Sequence, residues 1–145
     1  MPDVVMIRER PPQLSVVALL EAEGLPASDL TASHLEHFFF TGSDSAPSAL
    51  VGLEIYGEAA LLRSLVVSAD ARTRGLGSAL VQHAERYAAA REVRSIYLLT
   101  TTAEAYFERR GYRRVDRGQA PASIQSTREF ASLCPSSSAF MIKRL

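Results

Sequence analysis

The stretch that decides the fold runs from Leu62 to Val81 and reads LRSLVVSADARTRGLGSALV. It begins as an apolar segment typical of a strand, passes through a short polar loop and continues in a helical pattern. Two arginines and two glycines surround the start of this helix: Arg72, Arg74, Gly75 and Gly77. The first backbone N–H groups of a helix lack an internal partner, and the helix dipole makes that end partly positive. The stretch therefore predicts an anion site.

The glycines and arginines of this loop make the expected anion more specific. Glycine at 75 and 77 removes the side chains that would keep a phosphate from the backbone amides, and it permits the loop to turn its N–H groups inward. Arg72 and Arg74 add permanent charge in a geometry that matches phosphate oxygens. The sequence therefore predicts a diphosphate-binding loop.

The common nucleotide fingerprints do not fit this loop. A dinucleotide motif G-x-G-x-x-G would need a third glycine where Leu80 stands and an acidic residue near Tyr97, about 20 residues further on. A Walker A loop would need Gly-Lys-Ser/Thr after its spacer, which is not present. The remaining pattern is Arg72-x-x-Gly75-x-Gly77 between an apolar strand and an amphipathic helix. A nucleotide-binding regulator stays an open alternative.

Composition limits the classes of protein to be considered. The chain has 145 residues, 47% of them hydrophobic, and 16 basic against 16 acidic side chains, so we expect one domain and no general affinity for nucleic acid or anionic membranes. No signal peptide or membrane span is recognisable, which predicts a cytoplasmic protein. The single cysteine, Cys134, and three histidines without ligand spacing (His34, His37 and His83) predict no metal site.

Hydrophobic periodicity predicts a mixed α/β or α+β domain. The expected elements are a strand at Val4 to Arg8, a helix within Pro12 to Glu23, a helix from Asp29 or Thr31, a strand at His37 to Phe40, two hairpin strands in 49–67, a helix at Gly77 to Ala90, a strand at Ser95 to Thr100, a short helix ending at Gly111, a strand at 112–116, a helix within 120–135 and a last strand at 139–145.

The expected hairpin places two charged residues together. A tight turn at Gly57 and Glu58 puts Glu54 and Arg63 on one face of the sheet as diagonal neighbours. Such a pair can act on a substrate amine or carboxylate. It can equally be an ion pair across the sheet without catalytic function.

The pattern R/Q-x-x-G-x-G/A resembles the coenzyme A signature of the GNAT superfamily of N-acetyltransferases. The resemblance implies a GNAT fold, with a mixed, mostly antiparallel sheet of about seven strands, helices on both faces and a V-shaped cofactor cleft. It implies acetyl-CoA as co-substrate. The coenzyme contacts that it implies near this loop are Leu65, Val66, Val67, Arg72, Thr73, Arg74, Gly75, Leu76, Gly77 and Ser78.

A second segment, TTTAEAYFERRGY, resembles the superfamily pattern N-x-x-A-x-x-x-Y-x-x-x-G-F/Y. Thr100 stands at the asparagine position and Phe107 at the tyrosine position, and the resemblance implies that both contact the coenzyme. The usual tyrosine protonates the departing thiolate, which phenylalanine cannot do. Tyr106, about 100° around the helix, is the alternative acid. It can equally be a half-buried aromatic side chain.

Three longer stretches, LLRSLVV, YLLTTTAEAYFERRGYRR and APASIQSTREFASLCPSS, resemble bacterial arsenic-resistance-associated N-acetyltransferases. One cysteine cannot supply the several thiolates that bind arsenite. The resemblance therefore implies acetylation of an amine on a small molecule, such as an amino-acid-like compound or an organoarsenical toxin. It also allows a homodimer, which is common among such proteins.

The reaction implied is direct transfer in a ternary complex. Glu54 is the first candidate for the base that removes the amine proton or for binding the ammonium form of the substrate, and Arg63 for tuning its acidity or for binding a substrate carboxylate. The segment between the last two strands adds Thr127 and Arg128 as candidate substrate contacts, with a solvated ion pair as the alternative for Arg128. Phe107 also leaves open a non-catalytic acyl-CoA-binding or sensing protein.

Overall fold

The computed structural model describes residues 6–72, 75–135 and 137–145. Its strands are β1 (Arg8–Glu9), β2 (Phe38–Gly42), β3 (Pro47–Tyr56), β4 (Ala59–Val67), β5 (Ser95–Thr100), β6 (Arg113–Arg114) and β7 (Ala139–Arg144). Its α-helices are α1 (Gln13–Ala22), α2 (Leu76–Ala90), α3 (Glu104–Glu108) and α4 (Ala122–Gln125). Within the described ranges, no helix has the length and apolar character needed to cross a bilayer.

The strands form one seven-stranded sheet in the order β1-β2-β3-β4-β5-β7-β6. Neighbouring strands are antiparallel except β4 and β5, which run parallel. The β3–β4 hairpin turns at Gly57, whose φ of 66° is easy for glycine alone. The structure thus confirms two predictions, the mixed sheet and the tight turn at Gly57.

The single parallel pair controls where the sheet opens. Its ladder begins at Ala59↔Ser95 and ends at Leu61↔Tyr97, although β4 continues to Val67. Beyond Leu61, β4 also contains a bulge against β3, with Ser64 at a φ of 60°. Bulges bend a strand and re-aim its backbone. The two strands consequently diverge, which leaves a cleft in the middle of the sheet.

Apolar clusters cover both faces of the sheet. The largest cluster packs α2 and α3 against one face through residues such as Leu80, Ala84 and Phe107. On the other face α1 and α4 bury separate clusters around Leu20 and Ile124. Helices therefore lie on both faces, as predicted, and the two smaller clusters lie apart from one another.

Three expected elements differ in the structure. The helix predicted from Asp29 or Thr31 is a short 3-10 turn at His34–His37, and the following strand starts at Phe38. The helix predicted within 120–135 is α4 followed by a π-helical turn at Glu129–Leu133. The strand predicted at Val4 to Arg8 is observed at Arg8–Glu9; positions 4 and 5 lie outside the described residues.

Side-chain bonds to the backbone explain these departures. The backbone N–H of Thr31 donates to His34 Nδ1 at 3.0 Å. After α4, the Thr127 hydroxyl donates to the Ile124 carbonyl at 2.8 Å and accepts from the Phe130 N–H at 3.2 Å. Such local bonds offer the backbone an alternative to a continuous helix.

Candidate functional site

A cavity of about 450 Å³ occupies the cleft between β4 and β5. Four segments supply its walls: 24–26 after α1, 62–65 of β4, 98–103 with Phe107, and a group from the β6–β7 connection. That last group consists of Glu129, Leu133, Cys134, Pro135 and Ser138. The cavity is lined by apolar side chains with a few polar groups among them, which is the usual character of a small-molecule site.

One end of the cleft leads to the start of α2. Gly75 is the N-cap of this helix, with a φ of 72°, and its carbonyl accepts the N–H of Ala79 at 3.1 Å. Among the described residues no side chain caps this turn, which leaves its first N–H groups for an external acceptor. Chain neighbours aside, a Cβ built at Gly75 would meet no described atom within 4 Å, so this corner is open toward the outside.

Gly77 explains why a second glycine is needed. A Cβ at this position would lie 2.7 Å from the hydroxyl oxygen of Tyr106, so any side chain there would require the Tyr106 ring to shift. Glycine here lets α3 approach the first turn of α2. Leu76 and Ser78, two further predicted coenzyme contacts, flank Gly77 and are half-buried.

The arginines of the loop are only partly described. Arg72 has a side chain 57% exposed and forms an ion pair with Glu23, the residue that follows α1. Thr73 and Arg74, both predicted to bind the coenzyme, lie outside the described residues. An incoming phosphate would compete with Glu23 for Arg72 in solvent, where an exposed ion pair contributes little.

A cationic groove of about 440 Å³ adjoins the same helix start. Arg110 donates to the Ser78 hydroxyl at 3.1 Å and to the Tyr106 carbonyl at 2.8 Å, and its guanidinium lies 3.5 Å from the centre of the Tyr106 ring. Arg109 and Lys143 line the groove as well, although Lys143 is paired with Glu85 at 3.0 Å. Sequence reasoning missed Arg110, whose signal was its spacing of four residues from Tyr106.

The two aromatic residues of α3 have different positions. Phe107 is 6% exposed and lines the cavity, whereas the Tyr106 hydroxyl lies at Gly77, beside the first turn of α2. Thr100 also lines the cavity and accepts the Ala103 N–H at 3.0 Å. The position of Tyr106 favours a contact with the coenzyme over the proton-donor role considered from the sequence.

Tyr106→Phe provides a test of that position. We expect the turnover rate to fall less than about threefold, because loss of a true general acid costs about 10²–10⁴-fold. The Michaelis constant for the coenzyme should change more than the turnover rate does. Steady-state kinetics with varied acetyl-CoA measures both, and a turnover rate lowered by about two orders of magnitude or more would restore Tyr106 as the acid.

On the β3–β4 hairpin, Arg63 is the centre of a buried ionic network. Its Nη1 donates to Asp29 at 2.5 Å and to Glu54 at 2.8 Å, and its Nη2 donates to Asp29 at 2.8 Å and lies 3.2 Å from Glu129. Its Nε donates to the Ser64 hydroxyl at 3.1 Å. The Arg63 side chain is fully buried. The predicted diagonal pair of Glu54 and Arg63 is thus present within a larger network.

The network shifts the acidities of its members. Burial alone would raise the pKa of Asp29 and lower the pKa of Arg63. The hydrogen bonds and the charge attraction between the two groups outweigh burial. As a result, the pKa of Asp29 is lowered and the pKa of Arg63 is raised. Burial raises the pKa of Glu129, and Arg63 opposes this only in part. Burial also raises the pKa of Tyr56, which donates to Glu54 at 2.5 Å.

Glu54, the predicted base, is held on several sides. It accepts from Tyr56 and Arg63, and His34 Nε2 lies 4.0 Å away. Asp29, His34 and Glu54 bring their ligand atoms within 4.8 Å of one another, a spacing that a metal ion could use. Both carboxylates already accept from the Arg63 guanidinium, however, so a cation there would meet a fixed positive charge.

The β6–β7 connection contributes a residue that the sequence did not single out. Thr127 is buried and links α4 to the π-helical turn, while Arg128 is exposed. Neither Thr127 nor Arg128 lines the cavity, whereas the next residue, Glu129, does. The π-helical turn, which directs Glu129 inward, has no clear signature in the sequence, although such turns are common at functional sites.

Two histidines pack as ordinary core-edge residues. His37 Nδ1 lies 2.9 Å from the Tyr87 hydroxyl, and the His83 ring lies 4.8 Å from that of Phe39. Burial lowers the pKa of both imidazoles. His37 thus contacts Tyr87, and the histidine that packs against the phenylalanine run is His83.

A seven-stranded mixed sheet that opens beside a glycine-capped helix defines the acyl-CoA N-acyltransferase class of fold. The model of the acetyltransferase (GNAT) family matches residues 8–112, and the chain belongs to that family. The family expected from the sequence is thereby confirmed. Comparison with curated protein sequences gives no match.

Solved structures agree with this fold. N-acetylglutamate synthase from Neisseria gonorrhoeae, complexed with coenzyme A and N-acetyl-glutamate, superposes with a TM-score of 0.83 at 19% identity over 100% of this chain and 36% of that one. A Mycobacterium tuberculosis protein in complex with CoA and NLQ superposes with a TM-score of 0.76 at 16% identity, over 97% of this chain and 99% of that one. The PaiA N-acetyltransferase of Thermoplasma acidophilum, in complex with coenzyme A, superposes with a TM-score of 0.66 at 14% identity, over 99% of this chain and 100% of that one. The chain thus spans about a third of the synthase.

Proposed function

We propose that this protein is an acetyl-CoA-dependent N-acetyltransferase that acts on the primary amine of a small molecule. The observation that carries the proposal is the divergence of β4 from β5 after Leu61, which opens a cavity along β4; the end of this strand, at Val67, lies beside the first turn of α2. The diphosphate would bind at Gly75 to Ser78. Coenzyme A in three structures of the same fold supports this assignment.

The cavity supports direct transfer in a ternary complex. The acetyl group would lie beside the backbone of Leu65 to Val67, where β4 has left β5, so that its N–H and C=O groups are available to hold the thioester. The neutral amine nitrogen attacks the thioester carbon, the C–S bond breaks, the nitrogen gives up one proton to water, and the coenzyme leaves as a thiolate that takes up a proton. This scheme requires no metal ion.

The resemblance to arsenic-associated acetyltransferases supports one acceptor class in particular. An amino group on an organoarsenical or on an amino-acid-like toxin would be converted to an amide, which removes its basicity. Cys134 contributes no reactive thiolate, because burial raises its pKa to about 12. If this protein contributes to arsenic resistance, it would therefore do so by acetylating an arsenical and not by binding arsenic through thiols.

A turnover screen tests the proposed function. We expect purified protein to release free coenzyme A from acetyl-CoA only when a suitable primary amine is present, with formation of the N-acetyl product by mass spectrometry. The panel should contain alkylamines, polyamines, amino acids, amino-acid-like organoarsenicals and peptides. Tight binding of acetyl-CoA without release across the whole panel would overturn the proposal.

That negative outcome would favour a second candidate, an acyl-CoA-binding or sensing protein. The observation behind it is Phe107, which brings a ring without an ionisable proton to the cavity wall. Competitive calorimetry of acetyl-CoA against ATP and NAD separates both candidates from a nucleotide-binding regulator. Preference for either nucleotide would reject the coenzyme assignment.

A further inference from the structure

The buried ionic network carries more negative than positive groups. One guanidinium, Arg63, faces three carboxylates, those of Asp29, Glu54 and Glu129, and all four side chains are buried. Buried charges are costly unless they are paired. A cation entering the cavity would therefore find an environment that is short of positive charge.

Glu129 is the carboxylate with capacity for a further donor. One oxygen, Oε1, lies 3.2 Å from Arg63 Nη2. The other, Oε2, accepts from the Cys134 thiol at 3.6 Å, and a thiol is a weak donor. Glu129 lines the cavity at 5% exposure, and its raised pKa agrees with incomplete compensation of its charge.

Ser138 gives an independent sign of a missing ligand on the same wall. Its side chain is 4% exposed and lines the cavity with Glu129. Its hydroxyl oxygen has no hydrogen-bond partner in the part of the chain that the structure describes. Buried hydroxyls are almost always satisfied, so a bound polar group is expected next to it.

Arg63 is unavailable to bind a substrate carboxylate, although the sequence suggested that role. Its three nitrogens already donate to Ser64, Asp29 and Glu54 and approach Glu129. Arg128, the other candidate, is exposed and outside the cavity wall. Among the described lining residues, Glu129 is thus the charged group left to face an acceptor.

We propose that Glu129 binds the ammonium group of the acceptor, and that the site selects primary amines without a carboxylate next to the reacting nitrogen. This inference rests on the proposed function and narrows its acceptor class: amino-acid-like compounds with a carboxylate on that carbon are excluded, and amines without it, organoarsenicals included, remain. A carboxylate on the adjacent carbon would be brought close to Glu129, and like charges repel strongly in a desolvated site. The hydrocarbon part of the acceptor would pack on the lining side chains Leu62, Leu99, Phe107 and Leu133.

Matched amine pairs test this selectivity. Phenethylamine against phenylalanine and isoamylamine against leucine differ only by the carboxylate. We expect wild-type kcat/KM to favour each decarboxylated member at least about tenfold, which corresponds to about 1.4 kcal/mol. In Glu129→Gln the KM for the amines should rise at least about tenfold and the preference should shrink toward unity, with the Kd for coenzyme A unchanged.

Glu58→Gln is the matched control. Glu58 also faces an arginine, at 3.6 Å from Arg94, but its side chain is 73% exposed in the β3–β4 turn at the other end of the sheet. This variant should keep wild-type kinetics. A wild-type enzyme that prefers the amino acids, or a Glu129→Gln enzyme with unchanged KM and selectivity, would overturn the inference.

A binding measurement distinguishes this inference from the proposed function. Phenethylamine is titrated by calorimetry into wild-type and Glu129→Gln protein, each saturated with coenzyme A. If no amine is acetylated, the proposed function fails, yet binding that is weakened at least about tenfold by Glu129→Gln would still support the ammonium site. Absence of amine binding to the wild type would overturn the site itself.

Discussion

Arg63→Met should be the most destabilising single substitution of a charged residue in this protein. The change leaves Asp29, Glu54 and Glu129 buried without their guanidinium, and breaking a buried pair in this way costs about 3–5 kcal/mol. A domain of this size has about 5–15 kcal/mol in total. Thermal unfolding followed by circular dichroism should show Tm lower by about 10–20 °C.

A control and the pH dependence make this result specific. Arg94→Met removes an exposed partner of Glu58 and should change stability by less than about 1 kcal/mol. The Arg63→Met defect should be smaller at pH 5 than at pH 8, because carboxylates without a partner can then be neutralised by protonation. Equal stability of Arg63→Met and Arg94→Met would show that the network contributes nothing.

Gly75→Val should abolish coenzyme binding. Apart from its chain neighbours, no atom of the described residues lies within 4 Å of a Cβ at this position, so the valine would project into the space beside the α2 first turn where the diphosphate is expected. A side chain there keeps phosphate oxygens from the backbone N–H groups. We expect the Kd for acetyl-CoA, measured by calorimetry, to rise at least about 100-fold, equivalent to about 2.8 kcal/mol.

Gly57→Val separates this effect from backbone strain. Gly57 has nearly the same φ, 66° against 72°, and also has nothing within 4 Å of a built Cβ, but it lies in the β3–β4 turn. Both variants should lose a similar stability of about 1–2 kcal/mol from the left-handed conformation. Only Gly75→Val should lose the coenzyme, and wild-type affinity in that variant would remove the basis of the assignment.

The strand and the glycine-capped helix around the predicted coenzyme loop were readable from the sequence because their signals are local. The N-terminal glycine of α2 and the apolar strand before it lie within about 20 residues of each other, and a hairpin turn at Gly57 sets the partners of the β4 residues from Ala59 to Arg63. Register up to the bulge therefore followed from the turn, including the diagonal placement of Glu54 and Arg63.

The acceptor side was not readable because its members come from distant segments. Asp29 and Glu129 reach Arg63 from loops 34 and 66 residues away in sequence, and neither loop has a periodic pattern. The π-helical turn that brings Glu129 to the cavity depends on side-chain bonds of Thr127, which compete with a regular helix. Thr127 and Arg128, predicted from the same segment, lie outside the cavity wall that Glu129 lines.

By itself, then, the sequence determined the alternation of strands and helices, the hairpin and the glycine-capped helix, since turn chemistry and hydrophobic period act over a few residues; the mixed sheet followed from the family resemblance. The tertiary structure alone decided that Asp29 and Glu129 join Glu54 around Arg63, and that the Tyr106 hydroxyl lies at Gly77. The physical reason is that pairing of buried charges depends on distances between remote segments, which only the packed sheet and its covering loops establish.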